Sequence, residues 1–270
     1  MTVDLQRYAA RIGWDGEHRA TAETLRSLHR AHICGIPFEN LEALGGTAPS
    51  LDLDALQAKL VDGPRGGYCY EHNTLFAAVL EQLGFTVTRL TARVRVGAGP
   101  GDIRPRTHML LAVEVPGEPH RYLADVGFGA AGALLEPLPL LAGTEWSGGR
   151  RRRRLLAEPS GGPLPGLVLQ AWHDDARQDQ YAFTEEPFQA SDCQVANWYV
   201  ATHPRSPFRQ RLYVQRALAD GQLLLVGDTL TVTGPDGTVQ ERTVTGEREV
   251  AAVLEAEFGI VPPPGSLVVS

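Results

Sequence analysis

The segment RGGYCYEHN, residues 65–73, places a cysteine between a glycine pair and a stretch with helical periodicity. The apolar positions that follow Cys69 at helical spacing are Leu75, Phe76, Val79, Leu80 and Leu83, and Gly84 is placed to end a helix. The two glycines allow the tight turn that brings a loop residue onto a helix start. A helix N-terminus favours the thiolate form of cysteine, so the segment predicts a helix that begins near Cys69 with a candidate nucleophile in its first turn. The same position also suits a small buried side chain, and the partners of the sulfur decide between the two.

The sequence on either side of this segment changes its periodicity. Before it, Thr21 can cap a helix that ends near Gly35, and Asp52 or Asp54 can cap a second helix. After it, short runs with a period of two predict an antiparallel sheet or barrel; they are RVRV (93–96), HMLLAVEV (108–115), RYLADVGF (121–128), LVLQAW (167–172) and YAF (181–183).

The C-terminal part mixes helices with strands. It contains a predicted helix over about 191–201, a hairpin that turns at GPDG (234–237) and a closing helix over about 248–258. We therefore predict an α+β protein with three domains: an N-terminal helical bundle that carries the cysteine (1–85), a central antiparallel β-barrel (86–188) and a C-terminal α/β lid (189–270).

The composition excludes several classes of protein. The 270 residues have a net charge of −7, whereas nucleic-acid binders usually carry a basic surplus. No window approaches the roughly 18 apolar residues of a membrane helix and no secretory signal begins the chain, so we predict a cytoplasmic protein without a membrane partner. Cys34, Cys69 and Cys193 are widely spaced, and neither CxxC nor HExxH occurs. The sequence therefore predicts reduced thiols and no metal site.

Two histidines are candidate partners for Cys69. His72 lies three positions further on the same helix face, but a single helix holding both side chains leaves no third group to orient the imidazole. His108 opens the alternating strand THMLLAVEV, where a sheet sets its direction. Asp125, an acidic residue in the apolar run YLADVGFG, can accept a hydrogen bond from one ring nitrogen of His108 while the other nitrogen faces the thiol. Spacing alone equally allows Asp125 to cap the turn that follows.

Five segments in this order resemble the arylamine N-acetyltransferase family across most of the chain. They are IPFENL (36–41), RGGYCYEHN (65–73), THMLLAV (107–113), ADVGFG (124–129) and NWYVATHPRSPF (197–208). The resemblance implies a Cys-His-Asp triad at Cys69, His108 and Asp125, in a cysteine-protease-like arrangement on a helical domain, a β-barrel and an α/β lid. It also implies that acetyl-coenzyme A acetylates Cys69 and that the acetyl group then passes to an arylamine or arylhydrazine, in a ping-pong reaction without a metal.

The resemblance further implies binding residues. Phe38, Phe128 and Phe208 match positions that line the aromatic acceptor pocket in this family, although each alone would suit a hydrophobic core. Gly127 and Gly129 flank Phe128 and are predicted to let the backbone approach coenzyme A.

Two charged features allow alternative interpretations. Arg65 and Glu39 lie in segments that resemble the family, and we interpret them as a buried pair that braces the loop before Cys69 rather than as substrate contacts. The five arginines at 150–154 could meet the phosphates of a nucleotide-like ligand, but a solvated strand face or loop is the simpler interpretation.

Three other functions use the same residues. A cysteine hydrolase of papain or transglutaminase type would act on peptide amides instead of a coenzyme A thioester. An amide synthase that closes a macrolactam on a polyketide chain would share the triad and differ in the acceptor pocket. A coenzyme A-binding protein without activity is disfavoured, because the cysteine, histidine and aspartate are all present.

Overall fold

The N-terminal part of the chain is helical, as predicted. The computed structural model describes residues 2–99, 101–129, 132–148, 151–173 and 176–267. The helices of the N-terminal part are α1 (Leu5–Ile12), α2 (Ala22–Gly35), α3 (Leu41–Leu44), α4 (Leu53–Leu56) and α5 (Cys69–Gln82). A π-helical turn over Gln57–Val61 extends α4. The side chain of Thr21 accepts a hydrogen bond from the backbone of Thr24 at 3.1 Å, which confirms the predicted cap of α2. Helix α5 begins at Cys69, and Gly84 follows it with a φ of 93°, as the sequence indicated.

The central part is an eight-stranded antiparallel sheet. Its strands are β2 (Thr86–Val94), β3 (Arg106–Glu114), β4 (Tyr122–Ala124), β5 (Leu138–Pro139), β6 (Glu145–Gly148), β7 (Arg151–Glu158), β8 (Gly166–His173) and β9 (Ala176–Thr184). The spatial order is β5-β4-β3-β2-β9-β8-β7-β6. Leucines from β2, β3, β7 and β8 meet in one hydrophobic cluster, so the sheet curls around a core of its own.

Strand β3 is buried on both faces, and this places the site. Met109, Leu111 and Val113 pack into the same cluster as helix α5, whereas Leu110 and Ala112 face the interior of the curled sheet. Because side chains alternate along a strand, His108 shares the interior face with Leu110. The strand therefore holds His108 at the boundary between the helices and the sheet.

The C-terminal part is a second antiparallel sheet covered by helices. Its strands are β10 (Tyr213–Ala217), β11 (Gln222–Val226), β12 (Thr229–Thr233) and β13 (Val239–Thr243), and its helices are α6 (Ala190–Thr202), α7 (Pro207–Gln210) and α8 (Gly246–Val253), which a π-helical turn extends over Leu254–Phe258. The edge strand comes from the N-terminal part: β1 (Phe38–Glu39) pairs with β10, so that Phe38 lies opposite Gln215. This pairing brings the IPFENL segment against the C-terminal sheet.

The predicted α+β class, with a helical N-terminal part, an antiparallel barrel-like sheet and a C-terminal α/β part, is confirmed. The division into domains at residues 85 and 188 stays a prediction. None of the helices in the described part of the chain combines the length and the apolar character that crossing a membrane requires.

Candidate active site

Cys69 is the first residue of α5 and lines a cavity. Its side chain is buried, with 3 % of its surface exposed. The sulfur is 3.9 Å from the backbone oxygen of Thr107 and interacts with the ring of the next residue, His108. The sequence predicted this pairing, and the structure brings the two residues together across the junction of helix and sheet.

Asp125 is the partner of His108 on the side away from the sulfur. The Nε2 atom of His108 lies 2.7 Å from Oδ2 of Asp125, and both side chains are buried. The other oxygen, Oδ1, accepts hydrogen bonds from the side-chain amide of Asn73 and from the backbone of Gly127, each at 3.1 Å. Asp125 follows β4, and its carboxylate is positioned to orient the ring of His108. Its contacts therefore go beyond those of a residue that only caps a turn.

His108 and Asp125 each stabilise the charged form of the other. Burial lowers the pKa of His108, but the charge and hydrogen bond of Asp125 and the neighbouring Cys69 sulfur outweigh it and raise the pKa to about 10. Burial raises the pKa of Asp125, while the charge and hydrogen bond of His108 and the donors Asn73 and Gly127 bring it below the ordinary value. At neutral pH this pair is an imidazolium and a carboxylate, and an imidazolium beside a cysteine favours the thiolate.

Asn73 is a site residue that the sequence reasoning missed. Its amide nitrogen donates to Asp125 and to the backbone oxygen of Met109 (2.7 Å), and its amide oxygen accepts from the backbone of Val126 (3.2 Å). Asn73 therefore ties the strand of His108 to the loop of Asp125. The available signal was its position four residues after Cys69, on the same face of a predicted helix.

The cavity beside Cys69 has a volume of about 560 Å³. All of the binding residues predicted from the sequence line it, together with two members of the triad; they are Phe38, Phe128, Phe208, Gly127, Gly129, Cys69 and His108. The ring centroids of Phe38 and Phe208 are 5.8 Å apart, and the ring of Phe128 meets that of His108 edge-on at 5.0 Å. An aromatic slot next to a nucleophile suits a flat apolar acceptor.

The two cavity glycines are required by close packing within the protein. A Cβ atom at Gly127 would lie 2.6 Å from the Cα atom of Cys69, and one at Gly129 would lie 2.6 Å from the ring of Phe38. The first contact is with backbone, which cannot move without shifting α5. The predicted approach of coenzyme A to these glycines stays a prediction.

A Gly127→Ala substitution is expected to displace the start of α5 and to lower both stability and activity. Overpacking of this kind costs about 1–3 kcal/mol, and the displaced nucleophile should also slow alkylation of Cys69 by iodoacetamide. The matched control is Gly162→Ala, because a Cβ there comes no closer than 3.8 Å to any atom outside its neighbours. Urea unfolding and alkylation rates measure both effects, and equal behaviour of the two variants would contradict the packing argument.

Both ring nitrogens of His72 have hydrogen-bond partners other than Cys69. Its Nε2 atom lies 3.2 Å from the backbone oxygen of Pro37, and its Nδ1 atom lies 2.9 Å from Nε2 of His32, whose Nδ1 atom is 2.6 Å from the hydroxyl of Tyr8. Burial lowers the pKa of His72 to about 4 and holds the pKa of His32 well below its ordinary value. The chain of hydrogen bonds therefore runs between neutral groups, from Tyr8 in α1 to Pro37, just before strand β1.

Acid should destabilise the protein between pH 6.5 and about 4. Burial lowers the pKa of His29 and His72 to about 4 and that of His32 as well, so the unfolded chain binds more protons in this range. Burial raises the pKa of Glu71 to about 7, which offsets one of these protons. Because the unfolded chain then binds about two more protons than the folded protein, the free energy of unfolding should fall by roughly 2.7 kcal/mol for each pH unit of acidification. Urea unfolding at pH 7, 6 and 5 measures how the free energy of unfolding depends on pH. A free energy that does not change with pH would contradict the prediction. The control is His120→Gln, at an exposed histidine, which should leave the pH dependence unchanged.

The predicted pair of Arg65 and Glu39 braces the loop before Cys69. Nε of Arg65 donates to Oε1 of Glu39 at 2.8 Å, and Oε2 of Glu39 accepts from the backbone of Leu41 at 2.7 Å. Neither residue lines the cavity. Glu71 completes the support, since it accepts from the backbone of Tyr68 at the start of α5.

The arginine run forms part of a strand and is only partly solvated. The first arginine of 150–154 lies outside the described residues. Arg152 lies over the ring of Trp172 at 4.5 Å. Arg153 is 2 % exposed, and its guanidinium donates to the backbone oxygen of Gly132 at 2.9 Å, so the interpretation as a solvated face is wrong at this position. The pleat of β7 turns Arg153 inward, and backbone carbonyls satisfy its donors there.

Neither of the other cysteines lines the cavity. Cys193 is buried in α6 and Cys34 is half-buried in α2, and burial raises the pKa of both thiols. Within the described ranges, no group of His, Cys, Asp and Glu side chains is arranged to hold a metal ion.

Known proteins resemble the chain along almost its whole length. A family model described as N-acetyltransferase matches residues 21–263. An arylamine N-acetyltransferase from Mycolicibacterium smegmatis is 40 % identical over 262 residues, which cover 96 % of this chain and 93 % of the relative. The crystal structure of the Nocardia farcinica arylamine N-acetyltransferase superposes with a TM-score of 0.90 at 42 % identity, covering 98 % of this chain and 92 % of that one. The Mycobacterium marinum arylamine N-acetyltransferase in complex with CoA superposes with a TM-score of 0.87 at 38 % identity, covering 95 % and 93 %.

Proposed function

Because this chain belongs to the arylamine N-acetyltransferase family, we propose that it transfers the acetyl group of acetyl-coenzyme A to the nitrogen of an arylamine or arylhydrazine through an acetyl-cysteine at Cys69. The observation that carries the proposal is the arrangement of Cys69 and His108 at the wall of an aromatic cavity, with Asp125 hydrogen-bonded to His108 behind it. Each residue has a role that follows from its contacts.

In the first half-reaction, the Cys69 thiolate attacks the carbonyl carbon of the thioester. The bond between the acetyl group and the sulfur of coenzyme A breaks, and the departing thiolate takes the proton of the His108 imidazolium. The first N–H groups of α5 have no partner within the helix, so they can donate to the oxyanion of the intermediate. Asp125 keeps the histidine in the orientation that this proton transfer requires.

In the second half-reaction, the amine attacks the acetyl-cysteine. His108 accepts the proton of the amine nitrogen, and the Cys69 thiolate leaves, which restores the starting pair of charges. We place the ring of the acceptor between Phe38, Phe128 and Phe208, whose side chains line the cavity. We place the pantetheine arm along Gly127 and Gly129, where the backbone borders the cavity.

The acyl-enzyme is the direct test of this function. Intact mass is measured after brief exposure to acetyl-coenzyme A without amine, and peptide mapping then locates the modification. The expected result is one acetyl group on Cys69 that is lost when a substituted aniline is added, with Cys34 and Cys193 unmodified. An unmodified protein whose Cys69 still reacts with iodoacetamide would overturn acetyl-coenzyme A as the donor and direct attention to longer acyl donors, as in the amide-synthase alternative.

The domain division at residues 85 and 188 and the cytoplasmic location are also proposals. The change from helix to strand between α5 and β2, and from strand to helix between β9 and α6, supports the division. The odd number and wide spacing of the three cysteines suit reduced thiols, which supports the cytoplasm.

A further inference from the structure

His29 is a buried histidine outside the triad, and both of its ring nitrogens are bound to backbone groups. It lies in α2 and is fully buried. Its Nε2 atom is 3.1 Å from the backbone nitrogen of Asp125, and its Nδ1 atom is 3.2 Å from the backbone oxygen of Leu135. The ring packs edge-on against Phe76, with centroids 5.7 Å apart, which holds its plane.

These contacts admit only one protonation state. The backbone N–H of Asp125 can only donate, so Nε2 of His29 must accept with its lone pair. The backbone oxygen of Leu135 can only accept, so Nδ1 must carry the proton. Burial lowers the pKa of His29 to about 4 against the opposing effects of Leu135 and Asp125, in agreement with a neutral ring at pH 7.

The backbone N–H of Asp125 depends on this contact because Asp125 lies just beyond the end of strand β4, outside the sheet. Strand β4 ends at Ala124, and the ladder with β3 ends there as well. Asn73, Gly127 and His108 hold the carboxylate, but the backbone N–H of Asp125 has His29 as its partner. A buried N–H without a partner is costly, so loss of the imidazole would let the loop shift.

We infer that His29 is a positioning residue for the triad: its imidazole joins the backbone of Asp125 to that of Leu135 and so fixes the carboxylate that orients His108. The inference rests on the triad of the proposed function. It adds a group from α2 that touches neither the substrate nor the sulfur but sets where the acid of the triad lies.

The test compares His29→Phe with His29→Gln. Phenylalanine keeps a planar ring against Phe76 but removes both polar atoms, whereas the glutamine amide supplies one donor and one acceptor. The readout is the rate at which iodoacetamide alkylates Cys69 across pH 6–10, which needs no acetyl-coenzyme A. A wrong acyl donor would therefore leave this readout intact, and the two failures are distinguishable.

In His29→Phe, alkylation at pH 7 is expected to fall by about 100-fold, because the misplaced carboxylate no longer holds the imidazolium beside the sulfur. His29→Gln is expected to restore most of the rate and the shape of the pH profile. The control is Leu254→Ala, in the core of the C-terminal sheet, which should lower the melting temperature without changing the rate per folded molecule. Wild-type rates in folded His29→Phe, or equal losses in both His29 variants, would overturn the inference.

A second measurement needs no variant. Nitrogen-15 NMR of the wild-type imidazoles is expected to find His29 neutral at pH 7, with the proton on Nδ1 and none on Nε2. A proton on Nε2 would remove the acceptor for Asp125 and overturn the inference even if the variants fail to fold.

Discussion

A Cys69→Ser variant is expected to fold like the wild type and to lose acetyl transfer by about 10⁶-fold, the size of effect seen when a catalytic nucleophile is removed from a triad. Serine is close in size to cysteine, so the packing of α5 against Gly127 should survive. The hydroxyl, however, holds its proton far more tightly than a thiol, and the charge of His108 cannot ionise it to a useful extent. Steady-state transfer from acetyl-coenzyme A to an arylamine measures the loss, and circular dichroism and urea unfolding report the fold.

The control for this variant is Cys34→Ser. Cys34 lies in α2 away from the cavity, so its substitution should leave transfer unchanged. Turnover by Cys69→Ser within tenfold of the wild type would contradict the nucleophilic role and would favour direct attack of the amine on the thioester.

An Asp125→Asn variant is expected to lose about 10⁴-fold in the rate of transfer, as the same change does in a serine triad. The reason lies in the contacts of the two oxygens. Oδ1 accepts from Asn73 and from the backbone of Gly127, so the introduced NH₂ group cannot occupy that position without facing two donors. The NH₂ group therefore faces Nε2 of His108, which must then give up its proton and accept. The variant should hold His108 neutral, with its proton on Nδ1, the nitrogen that faces the sulfur.

The pH dependence distinguishes this variant from a merely unstable one. In the wild type the pKa of His108 is raised to about 10, so its charge and the stability that the charge adds are complete below about pH 6.5 and are lost as the pH rises through about 10. Without the carboxylate, burial is the dominant effect on His108, and its charge is lost at neutral pH. Alkylation of Cys69 in Asp125→Asn should then be slower than in the wild type at pH 7 and should no longer follow the wild-type pH profile.

Asp62→Asn is the matched control, because Asp62 is an exposed partner of Arg7 on the surface. It should keep the wild-type profile. A wild-type rate and profile in Asp125→Asn would mean that the carboxylate neither orients nor charges His108.

The local pattern of the chain was enough to place helices α2 and α5 and strand β3 and to single out candidate reactive residues. The start of α5, the cap at Thr21 and the alternation of β3 depend on neighbours within a few positions, and such short-range preferences are written directly in the sequence. The residue types and order of Cys69, His108 and Asp125 pointed to a nucleophile, a base and an orienting acid. Their resemblance to known segments supplied the acyl donor.

The supports of the site depend on contacts between distant parts of the chain. The inward orientation of Arg153 and the hydrogen bond between His29 and the backbone of Asp125 have no local signature in the sequence. The residues around them do not distinguish an inward arginine from an exposed one, or this histidine from any other buried histidine. The sequence also gave no sign that Pro37 and His32 occupy both ring nitrogens of His72, a tertiary arrangement that favours His108 as the partner of Cys69. Periodicity records which face of an element is buried, whereas a hydrogen-bond partner is selected by the packing of elements that meet only after the chain has folded.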